Sequence, residues 1–69
     1  MKPLTGKDLT RVLEGSGWKL LRVHGSHHIY GREGSPIRIS VPIHWNAELK
    51  RGLLLHMLKM AGLKESDLP

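Results

Sequence analysis

Five histidines stand in a chain of 69 residues, and the pair His27-His28, directly after Gly25-Ser26, is its densest source of acid-base chemistry. An imidazole titrates around pH ~6.5, so it can accept or release a proton near neutrality. Metal binding is the first alternative. Zinc takes three or four ligands, and without a cysteine it would need His24, His27, His28 and His44 to converge. Adjacent residues of an extended segment point to opposite faces, which keeps His27 and His28 from sharing one ion. The acids Asp8, Glu14, Glu33, Glu48, Glu65 and Asp67 are scattered, with none in sequence reach of the histidine turn. A two-metal nuclease needs clustered carboxylates, so neither that mechanism nor any other metal or cofactor is expected.

What remains for an enzyme is a substrate that brings its own nucleophile. RNA supplies one in the 2′-hydroxyl, which a histidine can deprotonate, just as it can protonate the leaving oxygen. Nearby Lys or Arg would stabilise the charge of the phosphorane. Eleven Lys and Arg against six acids give a net charge of +5, a balance that favours phosphate-rich or acidic partners without specifying a sequence. On composition alone a non-catalytic RNA-binding module is the simpler reading, since a histidine in a basic protein can do no more than touch phosphate or solvent. His56, on a helix near Leu53 and Met60, reads as a surface residue.

The histidine turn has to be held by its neighbours. Trp18 to Val23 and His27 to Arg32 read as two strands joined tightly at Gly25-Ser26, because glycine permits the backbone angles of a sharp turn. Period 2 places His27 with Ile29 and His28 with Tyr30. In the first strand the adjacent Leu20 and Leu21 leave open which parity faces the core. Gly31 to Pro36 is turn chemistry, and Ile37-Arg38-Ile39-Ser40-Val41 alternates strictly, predicting a third strand with Ile37, Ile39 and Val41 buried and a basic outer face.

A first helix is expected over residues 6–14, opened by Thr5 with Asp8 in a capping box and carrying Leu9, Val12 and Leu13 as its apolar stripe. The Gly15-Ser16-Gly17 run ends it. After the loop Ile43-His44-Trp45-Asn46, a last helix starts between Ala47 and Gly52, runs to about Met60 with Leu54, Met57 and Leu58 inward, and is capped by Gly62. One short turn is expected over Glu65 to Leu68. Tight connections make the three strands an antiparallel meander, with both helices on one face and the other left for a partner.

At this length the chain holds one domain, residues 1–69, with a thin core built without phenylalanine. Chains of this size commonly lean on disulfides, metals or association, and the absence of cysteine makes association with a partner the default. No segment is apolar for long enough to be a signal peptide or a membrane span, so a cytoplasmic protein is expected.

In order and spacing, Gly17-Trp18, Arg22, Gly25-Ser26-His27-His28-Ile29-Tyr30, Val41-Pro42-Ile43-His44, Leu49-Lys50 and Leu58-Lys59-Met60-Ala61-Gly62-Leu63 resemble the HicA family of toxin-antitoxin mRNA endonucleases. The Gly-Ser-His element and the Pro-x-His after the third strand are the most specific parts. The resemblance implies an α+β, double-stranded-RNA-binding-domain-like fold of order α-β-β-β-α, ribosome-independent cleavage of mRNA, and neutralisation by a HicB-type antitoxin. By the same resemblance His27 is the catalytic imidazole, Gly25 and Ser26 shape its turn, and His28 supports it. Arg22 and Arg38, then Lys19, Lys50 and Arg51, are the candidate RNA contacts. Two features depart from the family pattern. Arg51-Gly52-Leu53-Leu54 replaces the Pro-Gly-Thr-Leu common at the start of the last helix. Trp45 stands where a polar residue is expected, and would mark a base or partner contact if exposed and core if buried.

Overall fold

The computed structural model describes residues 4–44 and 47–69. Helix α1, Gly6–Gly15, begins where the sequence places its capping box: Thr5 Oγ1 accepts from the Asp8 amide, and the Asp8 carboxylate accepts from the Thr5 amide at 3.1 Å. Each bond satisfies a backbone donor that a helix start would otherwise strand. Strands β1 (Lys19–His24), β2 (His27–Gly31) and β3 (Arg38–Pro42) follow in an antiparallel sheet of order β1-β2-β3. Helix α2, Arg51–Ala61, ends at Gly62 in the left-handed conformation, φ 73°. A 3-10 turn spans Glu65–Asp67. This is the expected α-β-β-β-α order of the double-stranded-RNA-binding-domain type.

Both helices lie on one face of the sheet. Leu9 and Leu13 of α1 and Leu54, Met57, Leu58 and Ala61 of α2 form one core with Tyr30, Ile39, Val41, Leu4 and Trp18. Tyr30 donates from its hydroxyl to the Glu14 carboxylate at 3.2 Å. Burial, reinforced by the Glu14 charge and against a hydrogen bond from Thr10, pushes its phenol above the usual tyrosine range. No helix among the described residues is long and apolar enough to cross a membrane.

The structure corrects the sequence reading of two strands. Trp18, expected to open β1, lies just before it and is buried, 1% exposed, with the Arg32 guanidinium 4.7 Å above its ring. Neither parity of β1 is buried: all six of its residues are exposed. Ile37, expected inside with Ile39 and Val41, is 40% exposed. Its amide donates to Ser35 Oγ instead of entering the ladder, so the strand begins one residue later. Trp45 and Asn46 lie outside the described residues.

Candidate functional site

His24 and His27 face each other across the β1-β2 ladder, leaving Gly25-Ser26 as a two-residue hairpin loop. Gly25 takes its first position with φ 61°, an angle that such turns require and that side-chain-bearing residues rarely adopt. The turn is also tied from a third side. The Ser26 carbonyl accepts from the Ile43 amide at 2.7 Å, linking it to the chain leaving β3.

Register then decides the two histidines. His28 pairs with Val41 and shares the parity of Tyr30, so it turns toward the helices and is half-buried. His27 pairs with Pro42 and shares the parity of Ile29, so it stands exposed on the open face. Its Nδ1 lies 2.9 Å from Ser40 Oγ, a diagonal neighbour on β3. With Nδ1–H donating to that hydroxyl, Nε2 carries the lone pair and has no protein partner among the described residues. Ser40 had no assigned role in the sequence reading. Its only signal there was its place beside Arg38 on the outward parity of the third strand.

A β-bulge enriches the same face. The register of β1 against β2 slips between Leu20 and Arg22, so Arg22 pairs with Ile29 and Leu21 is the extra residue beside it. Leu21 and Arg22 thereby join Ile29, Arg38 and Ser40 around a groove of about 540 Å³. A second hollow, toward the far end of the strands, is lined by Lys19, Leu21, Gly31, Arg32, Glu33 and Arg38. Lys19, Arg22 and Arg38 thus share the open face with His27. Arg38 is anchored there, its Nη1 donating to the carbonyls of Ser35 at 3.2 Å and Ile37 at 3.1 Å.

The remaining candidates lie elsewhere. Lys50 caps α2 and lines a separate hollow with Pro42, His44, Glu48 and Leu53. Arg51 is held by Glu65 at 2.9 Å. His44 and His56 are exposed and line neither open-face hollow. Among the described residues, no three His, Asp or Glu side chains are grouped as a metal ion would require.

Residues 6–63 match the family model described as the HicA toxin of bacterial toxin-antitoxin systems. No curated protein matches the chain.

Proposed function

The chain belongs to the HicA toxin family and is thus the toxin component of a bacterial toxin-antitoxin system; on that premise we propose that it is an endoribonuclease that cuts mRNA without a metal ion and independently of the ribosome, with His27 as general acid or base. The observation that carries this is the setting of His27: exposed at the exit of a fixed hairpin turn, on a cationic face, its ring oriented through Nδ1 by Ser40.

The chemistry follows from that arrangement. Nε2 takes the proton of a 2′-hydroxyl as its oxygen attacks the neighbouring phosphorus, or it delivers a proton to the departing 5′-oxygen as the P–O5′ bond breaks. The product is a 2′,3′-cyclic phosphate and a free 5′-hydroxyl. The Arg22 guanidinium lies on the same face, placed to stabilise charge on the phosphorane oxygens. The substrate places this action in the cytoplasm. Neutralisation falls to a HicB-type antitoxin, which covers the turn and the open sheet face, since denying access is the simplest way to silence so small a nuclease.

The test is incubation of the purified protein with single-stranded RNA in EDTA, wild type beside His27→Ala. Cleavage is expected to persist under chelation and leave cyclic phosphate ends. His27→Ala is expected to melt close to wild type, still bind RNA and antitoxin, and cut nothing. A folded His27→Ala protein that cuts like wild type, or an activity that needs added magnesium or zinc, would refute the mechanism. Binding by a wild type that never cuts would instead identify an RNA-binding module.

A further inference from the structure

We propose that the groove beside His27 is a subsite for one unpaired nucleobase, with Leu21 and Ile29 as its floor and the Arg38 guanidinium as a stacking platform. This rests on the ribonuclease reading and adds to it the class of substrate, a strand whose bases are splayed out of any helix.

Three observations lead there. The first is the floor. The bulge brings Leu21, 52% exposed, onto the face of Ile29. Gly31 then lets it lie low across the sheet: a Cβ on Gly31 would stand 2.6 Å from Leu21 Cδ1 and 3.2 Å from Arg38 Nη1. An apolar floor suits the face of a base and not a phosphate, whose hydration it would strip without replacement.

The second is the difference between the two arginines. Arg22 is exposed with no protein partner among the described residues, free to follow a phosphate. Arg38 has one edge of its guanidinium fastened to two carbonyls, which fixes the plane. A fixed guanidinium plane is what an unstacked base packs upon, and the plane is prepaid in entropy. Ser40 Oγ, which lines the same groove, remains to meet a polar base edge.

The third is continuity. Ser40 both lines the groove and holds His27, so a base in the groove belongs to a nucleotide beside the cleaved phosphate. At about 540 Å³ the groove falls within the ~300–1,000 Å³ of ordinary small-ligand sites. Bases stacked within a duplex offer no free face to it.

The experiment measures binding of the His27→Ala protein to a short single-stranded RNA in which each nucleotide in turn is made abasic. Wild type on an RNA lacking the 2′-hydroxyl at its cut nucleotide repeats the scan without any substitution in the protein. Affinity is expected to fall on the order of tenfold at a single position, adjacent to the bond that wild type cuts. Arg38→Lys is expected to lose as much as Arg38→Ala, because lysine keeps the charge but not the plane. Equal affinity at every abasic position, or full binding by Arg38→Lys, would overturn the subsite while leaving the ribonuclease reading intact. No RNA binding in any arm would overturn both.

Discussion

The 2.9 Å contact between His27 Nδ1 and Ser40 Oγ leaves Nε2 as the ring nitrogen without a protein partner among the described residues, and it is a bond between side chains on two strands. Without the hydroxyl the imidazole can rotate about its side-chain torsions, and under the proposed mechanism Nε2 loses its aim. Ser40→Ala should therefore lower the cleavage rate roughly two- to tenfold, the worth of one hydrogen bond of ~0.5–1.5 kcal/mol. Ser40→Thr should restore it. Because Ser40 is exposed, thermal melts of both variants should overlay wild type. An Ala variant cutting at the wild-type rate would mean that the ring is oriented by something else. The turn that carries His27 was legible in the sequence because it is local, a glycine turn followed by an imidazole. The role of Ser40 was not, because it lies thirteen positions beyond His27 and only strand register joins them.

Among the elements, α1 was the most readable. Its capping box is closed within four residues, so the sequence alone places its start, and both reciprocal bonds form. Thr5→Ala should cost ~1 kcal/mol. In a domain of this size that is a fall in melting temperature of about 4–8 °C, measurable by calorimetry. A melting temperature unchanged within a degree would show that the tie between Thr5 and Glu48 or the packing of Leu9 holds the helix start without the cap. Strand β1 was the least readable. Its alternation breaks at Leu21 because a bulge sits there, and the bulge puts Leu21 and Arg22 on one face where a regular strand would put only one of them.

Seen whole, the molecule is two layers, with extents of 31 × 28 × 18 Å, helices on one side and a cationic sheet on the other. A net charge of +5 predicts salt-sensitive RNA binding but does not say where the phosphates run. The layers do. Arg22→Ala should reduce the slope of log affinity against log salt by about 0.7, the value of one phosphate contact with a single strand. Arg51→Ala should leave that slope unchanged, since its guanidinium is already engaged by Glu65 on the helix layer. A change with Arg51 and none with Arg22 would move the RNA path off the sheet. The same layering bears on the proposed antitoxin. An open face that carries His27 and exposed Leu21 is one that an antitoxin would cover in a single contact.

Sequence by itself determined the order of the elements, the turn at Gly25-Ser26, the burial of Leu9, Leu13, Ile39 and Val41, and the opposite parity of His27 and His28. Each of these depends on a local rule: a cap, a period, or a glycine at a positive φ. Tertiary structure alone decided which parity met the helices, and therefore that His27 faces out and His28 in. It also decided that Ser40 orients His27, that Leu21 and Arg22 share a face, that Ile37 stays outside, and that Arg38 is fastened while Arg22 is free. Ile37 and Arg38 are set by the Ser35 corner just before β3; for the histidines, Ser40 and the bulge the physical reason is one. Periodicity fixes relations within a strand, but the pairing register between strands, and the side from which helices cover a sheet, are set by the packing of the whole chain.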